Sequence, residues 1–396
     1  MTAGARTAGA QTAGAQVASP LSTSPQTASP QTASPQTASP QTASPQTASP
    51  QTASPQIVEV ELGERSYAVH IGAGVRHRLA EEVQRLGARR AAVVSARPPE
   101  WTPDLGAPSL FLAAADGEHG KSLAAVEGLC RRFADFGLTR GDVVVAVGGG
   151  STTDTVGLAA ALYHRGVPVI HLPTSLLAQV DAGVGGKTAV NLPEGKNLVG
   201  TYWQPSAVLC DTDYLATLPP REMANGYGEI ARCHFIGAGD LRGLALAEQI
   251  AASVRRKAEI VAGDERDAGL RHLLNYGHTL GHALERATDY ALRHGEGVAI
   301  GTVFAGRLAG RLGRIPPERV AEHHDVVAHY GLPTALPHGV DDDRLIALMR
   351  LDKKAVTGLA FVLDGPRGAE LVTGVPRSAV AAVLAEMPRD APHSRR

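Results

Sequence analysis

Cysteine is scarce in this chain: Cys130, Cys210 and Cys233 are the only three among 396 residues. They are odd in number, far apart, and form no CxxC pair. A disulfide framework is therefore not expected, and a reduced, cytoplasmic setting is. Aromatic residues make up only 4% of the sequence, which leaves little to stack on nucleic-acid bases. The formal net charge is −1, so no field draws in a polyanion or an anionic membrane surface. No apolar run approaches the roughly 20 residues that span a bilayer. The first residues lack the basic start and apolar core of a secretory signal. Neither nucleic acid nor membrane is an expected partner, and a small molecule is.

Residues 1–56 are low in complexity, with TAGA(Q/R) units followed by a repeated TASPQ. Proline at every fifth position forbids a continuous helix, and Ala, Ser, Thr and Gln supply too little apolar mass for a core. A disordered tail with polyproline II character is expected, either an inert extension or a partner-binding segment. Globular sequence begins at Ile57. Ile57–Leu62 and Tyr67–Ile71 alternate with period two around Gly63-Glu64 and predict paired strands. A helix is expected to close over Val83–Leu86, with strands at Ala91–Val94 and Leu110–Leu112. Leu123, Val126, Leu129, Phe133 and Phe136 form a helical stripe. Val143–Val147 is β-branched and unalternating, as a buried parallel strand should be. Strands alternating with helices predict an α/β, Rossmann-like nucleotide-binding domain over 57–217. After Pro219-Pro220 the pattern predicts helices near 221–236, 246–263, 272–290, 295–313, 318–330 and 342–352, with short strands at 359–363 and 370–372. A mostly α-helical second domain is thus expected over 218–396, with a ligand cleft between the two.

Two sets of residues suggest chemistry. His278 and His282 are four apart, so on a helix they share a face, and His294 follows beyond a stretch long enough to fold back. Three imidazoles suit Zn²⁺ or a similar ion. Glu229 stands in a helical pattern with Arg232 one turn on. Alone the two would be a surface ion pair, but with the histidines near, Glu229 becomes a candidate carboxylate ligand. The second set is Gly148-Gly149-Gly150-Ser151-Thr152-Thr153-Asp154, between a buried strand and a helix start. Glycines let a backbone approach a pyrophosphate, and the free N–H groups of a helix start favour anionic oxygen. The turn is not GxGxxG, and a tight turn without ligand also fits it. Asp116-Gly117-Glu118 with Lys121 reads as a polar loop able to meet ribose and phosphate, or as a solvated turn. Lys187 and Lys196-Asn197 lie in a Gly-rich stretch that suits phosphate or carboxylate, or is merely flexible surface. Lys257, Arg271 and Asn275 are helical and solvent-facing by default.

Together the stretches GGGSTTD, YHRG, LPTSLLAQVDAGVGGKTAVN, GKNLVG, QPSAVLCDTDYLATLP, GLRHLLNYGHTLGHALE, RHGE and LDKK resemble the 3-dehydroquinate synthase family of sugar-phosphate cyclases, from Ile57 to Pro388. The resemblance implies NAD⁺ and a divalent metal, Zn²⁺ or Co²⁺, held between a nucleotide-binding domain and a helical one in a homodimer. By position, Glu229, His278 and His294 correspond to metal ligands and His282 to a catalytic histidine. Asp116, Gly117, Glu118, Lys121, Gly150, Ser151, Thr152, Thr153, Asp154, Thr174, Ser175, Lys187, Lys196 and Tyr214, Leu215, Ala216, Thr217 correspond to NAD contacts. Arg165, Asp181, Lys187, Asn197, Lys257, Arg271, Asn275 and Lys354 fall where the family binds substrate or assists the reaction.

Two departures stand out. The family's Glu-x-x-Lys helix has Arg232 in place of lysine, and the segment from Glu229 to Lys257 is short. The run GEIARCHFIGAGDLRG resembles instead the aminodehydroquinate synthases of ansamycin-type pathways, which act on an amino-heptulosonate 7-phosphate on the way to 3-amino-5-hydroxybenzoate. The resemblance implies phosphate elimination and ring closure with no net redox change. Arg232 is expected to grip substrate and set the choice between amino and hydroxy forms. The alternatives are a shikimate-pathway 3-dehydroquinate synthase and, from another class, a metal-dependent polyol dehydrogenase.

Overall fold

Short β-branched runs supply the strands of one large sheet. In the computed structural model, which describes residues 55–352 and 358–391, it contains β1 (Gln56–Val60), β2 (Tyr67–Gly72), β3 (Ala91–Ser95), β4 (Ser109–Ala113), β5 (Val143–Gly148), β6 (Val169–Pro173) and β9 (Ala207–Asp211). Residues 1–54 of the TASPQ tail and Lys354 lie outside the described residues, whereas Gln56, expected in the tail, opens β1 because it pairs with Ile71. The spatial order is β1-β2-β9-β6-β5-β3-β4. All neighbours are parallel except β1 and β2, whose antiparallel register pairs Gln56 with Ile71. β3, β5, β6 and β9 are buried at every position, as expected where helices cover both faces. Between β3 and β5 the strand order reverses, because β4 lies outward of β3 and β5 on its other side. A ligand crevice is expected outside the carboxyl ends of strands at such a switch point.

The helices of this half are α1 (Leu79–Arg85), α2 (Leu123–Asp135) and α3 (Gly150–Leu162). Lys187–Leu192 (β7) and Gly195–Tyr202 (β8) form a separate two-stranded hairpin. The lysines read as lying on a flexible loop are thus held on a β-ribbon. The remainder is helical: α4 (Pro220–Cys233), α5 (Leu246–Gly263), α6 (His278–Ala287), α7 (His294–Arg311), α8 (Pro317–His329) and α9 (Asp342–Asp352), then β10 (Leu359–Leu363), β11 (Glu370–Val375) and α10 (Arg377–Glu386). Pro220 opens α4 at a position whose N–H would have no helical partner anyway. The described residues belong to one compact unit. Its largest core runs unbroken from Val69 and Cys210 of the sheet into Ile230, Val254, Leu280 and Val303 of the helices. Among the described residues no helix is long and apolar enough to cross a membrane.

Candidate active site

Three helices present one donor each to a common point. Glu229 is on α4, while His278 and His294 are the first residues of α6 and α7. What lets the helices meet is glycine. A Cβ on Gly228 would lie 2.3 Å from the carbonyl oxygen of Gly295, and one on Gly295 would lie 1.9 Å from that of Asn225. The backbones of α4 and α7 are therefore in direct contact beside their two ligands. Gly277, at φ +77°, turns the chain sharply so that α6 starts at His278.

The donor atoms are already oriented. Nδ1–H of His278 donates to the carbonyl of Tyr276 at 3.0 Å, leaving Nε2 to face Glu229 Oε1 at 3.5 Å. His294 Nε2 lies 3.1 Å from the same oxygen, and its Nδ1 lies 3.3 Å from Glu285 Oε2. A carboxylate behind a ligating imidazole fixes its tautomer and raises its basicity. One ligand atom from each of Glu229, His278 and His294 lies within 4.8 Å of the others. Burial opposes ionisation of Glu229, yet Arg232, His278 and His294 override it and hold the carboxyl well below its usual range. Burial also keeps His278 neutral, its pKa lowered to about 3. His294 is pushed the other way, to about 10, because Glu229 and Glu285 outweigh its burial. An anionic oxygen and two imidazoles in a water-poor pocket that gathers positive charge form a donor set suited to Zn²⁺ or Co²⁺. His282 stands one turn beyond His278, its ring 5.9 Å from that of His294.

Basic residues surround this point, and most are not solvent-facing as helical position suggested. Lys257 is buried on α5, and its Nζ donates to both the carbonyl and Oδ1 of Asp181, each at 2.6 Å. Asp181 sits in a π-helical turn, Ala178–Ala182. Arg271, 1% exposed, donates to the carbonyls of Gly185 at 2.7 Å and Glu265 at 2.6 Å. Asn275 ends the same 3-10 turn, Leu270–Asn275. Lys187, at the start of β7, pairs with Asp267 at 2.5 Å. Arg232 also differs from expectation. It is 1% exposed, and its Nε donates to Glu229 Oε2 at 2.5 Å, so it offers no surface to a substrate. Arg165 is not brought to this cleft within the chain. It is exposed, with φ +63°, in the turn after α3. A helix of 13 residues runs about 20 Å, from the carboxyl ends of the strands to the opposite edge.

The glycine turn lies at the switch point. Gly150-Ser151-Thr152-Thr153-Asp154 form the first turn of α3, slightly earlier than the expected start near Thr152. Thr174 N–H donates to the Gly148 carbonyl at 2.9 Å, and a Cβ on Gly149 would meet Ser175 Oγ at 3.5 Å. Lys121 reaches Asp154 at 2.6 Å and Asn197 at 2.5 Å, tying β8 to α3. Glu118 accepts from Ser151 at 3.2 Å and from Asn191 at 2.6 Å. Lys196 hangs 4.0 Å over the Tyr290 ring and 3.8 Å from Glu285, so the hairpin links this half to the metal centre. Tyr214 stacks on Trp101 at 5.1 Å, while Leu215 is buried and Ala216 and Thr217 are exposed in the same turn. A cavity of about 640 Å³ opens beside the turn, lined by Ala113, Ala115, Gly120, Leu129, Ser151 and Thr155. One residue here escaped the sequence reading. Arg97, just past β3, bonds to Thr174 at 3.3 Å and pairs with Asp116 at 3.2 Å. Only its place after a strand at the switch point marks it.

This geometry has counterparts. Residues 111–225 match the 3-dehydroquinate synthase N-terminal family and residues 227–355 the C-terminal one. A protein of Amycolatopsis mediterranei, named "Putative aminodehydroquinate synthase", is 71% identical over 333 residues, 84% of this chain and 95% of that one. The chain belongs to the 3-dehydroquinate synthase family. The 3-dehydroquinate synthase of Nitrobacter winogradskyi is 43% identical over 370 residues, 85% of this chain and 97% of its own. Among solved structures, 2-deoxy-scyllo-inosose synthase complexed with carbaglucose-6-phosphate, NAD⁺ and Co²⁺ superposes with a TM-score of 0.77 at 26% identity, covering 84% of this chain and all of that one. The family's α/β domain followed by a helical domain is the architecture seen here.

Proposed function

We propose that this chain is an aminodehydroquinate synthase, a phosphate-eliminating lyase that turns an amino-substituted heptulosonate 7-phosphate into a carbocycle. The Glu229–His278–His294 set next to the switch-point glycine turn carries the reading, because a sugar-phosphate cyclase needs a Lewis acid and a hydride acceptor at one carbon. The 71% identity to the Amycolatopsis protein, against 43% to a shikimate-type relative, supports the amino substrate. When bound, the metal supplies Lewis acidity at a hydroxyl and NAD⁺ a transient oxidation of the same carbon that is later reversed.

The chain's own residues then divide the work. Glu229, His278 and His294 hold the ion, and Glu285 keeps His294 in the ligating tautomer. His282, one turn from His278, moves protons at its imidazole nitrogen near the reacting carbon. Lys257 and Arg271, themselves buried, fix Asp181 and Gly185, and the more accessible Lys187 and Asn275 would meet phosphate and carboxylate. The first turn of α3 would hold the diphosphate of the dinucleotide, and Asp116 with Arg97 would meet its ribose.

Two measurements test this. Inorganic phosphate should appear faster with the amino than with the hydroxy heptulosonate phosphate, and absorbance at 340 nm should not rise. A hydroxy preference would make the chain a 3-dehydroquinate synthase, and stoichiometric NADH would make it a dehydrogenase. Arg97→Ala should raise the Kd for NAD⁺ about tenfold, the loss of roughly one charge-assisted hydrogen bond, with an unchanged melting temperature. An unaltered Kd in calorimetric titration would remove Arg97 from the cofactor site.

A further inference from the structure

Arg232 is joined to more than one part of the metal centre. Its Nε–H donates to Glu229 Oε2 at 2.5 Å, while the other carboxylate oxygen, Oε1, faces His294 Nε2 at 3.1 Å and His278 Nε2 at 3.5 Å. Its Nη1 donates to the carbonyl of Leu274 at 2.7 Å. Leu274 lies two residues before Tyr276, the carbonyl that orients His278. Nη2 stands 3.7 Å from Asp181, whose carboxylate Lys257 already holds. Both Arg232 and Glu229 are shut off from solvent, at 1% and 0% exposure.

We propose that Arg232 is a positioning residue of the metal centre: it occupies Glu229 Oε2, so that Glu229 ligates through Oε1 alone, and it braces the segment that aims His278. The proposal rests on the reading that Glu229, His278 and His294 hold a metal. The physical ground is the fork of the guanidinium. One planar group donates along Nε to a carboxylate and along Nη1 to a carbonyl on another segment. An ammonium is a single point with rotatable donors and does not reproduce the fixed fork that sets the two partners relative to each other. With Oε2 released, Glu229 is free to swing or to ligate through both oxygens, which changes the coordination number.

The test uses full-length enzyme loaded with Co²⁺ and NAD⁺. Arg232→Lys should weaken Co²⁺ binding ten- to a hundredfold in a chelator competition, the usual cost of losing an outer-shell partner. It should also alter the visible Co²⁺ absorption bands. A Kd within twofold of wild type with an unchanged spectrum would overturn the proposal and return Arg232 to substrate contact, the more so if KM alone shifted. A measurement on the unmutated protein guards against a variant that fails to fold. A crystal structure of the Co²⁺ enzyme should show Glu229 Oε1 at a bonding distance of about 2.0–2.2 Å and Oε2 on Arg232. Ligation through both oxygens would overturn the proposal. Wild-type protein that takes up no Co²⁺ would overturn this proposal and the metal reading together. Protein that binds Co²⁺ normally but ignores Arg232→Lys would overturn this one alone.

Discussion

His278→Ala should empty the metal centre and lower kcat/KM by about a thousandfold or more, roughly 4 kcal/mol of lost transition-state stabilisation. The substitution removes the one ligand whose Nε2 is held ready by a backbone carbonyl, since Nδ1 is committed to Tyr276 at 3.0 Å. The fold should survive, because the buried charge left behind is not orphaned: Glu229 keeps Arg232 at 2.5 Å and His294 at 3.1 Å. A buried carboxylate that retains its cationic partner avoids the large cost of an uncompensated charge. The checks are metal content by mass spectrometry, far-UV circular dichroism and phosphate release. Stoichiometric metal with full activity in the variant would remove His278 from the ligand set.

The reason His278 was visible in the sequence, while its supports were not, is the range over which each signal acts. Helical spacing put His278 and His282 on one face, and β-branched runs such as Val143–Val147 gave the buried strands, because both patterns are local. The assignment of Glu229 needed the family resemblance as well, since its partners lie 49 and 65 positions further on. Lys257 and Arg271 looked solvent-facing because nothing within their own helical turns opposes exposure. Their burial comes from Asp181 and Gly185, 76 and 86 residues away. The β7–β8 hairpin was missed for a different reason. Its Gly, Pro, Lys and Asn content reads as loop, and only the contact with α3, where Thr188 packs against Gly157, makes it a ribbon. Arg97 and Glu285 carry no motif, and each acquires meaning only from the neighbour the fold supplies.

Gly295→Ala should be among the most damaging single methyls that can be added near the site. Its Cβ would sit 1.9 Å from the carbonyl oxygen of Asn225, an atom of the α4 backbone. A flexible side chain can swing aside, but a backbone carbonyl within a helix cannot move without carrying its neighbours. The same contact includes a hydrogen bond from Gly295 N–H to Asn225 Oδ1 at 2.7 Å, which separation of α4 and α7 would lengthen. Overpacking of a filled interior costs about 1–3 kcal/mol and sometimes more, and a contact with backbone on both sides belongs at the upper end. For a folded unit of this size about 3 kcal/mol corresponds to a fall in Tm of roughly 4 °C. Because Glu229 and His294 flank the contact, metal affinity should fall in the same variant even at temperatures where it stays folded. Val303→Ala is the informative comparison. It is 1% exposed on the same α7 but lies further along the helix, so it should lower Tm through cavity formation while leaving the Kd for Co²⁺ unchanged. If Gly295→Ala lowers Tm and leaves metal binding as tight as in wild type, the close approach of α4 and α7 serves packing alone and does not set the ligand geometry.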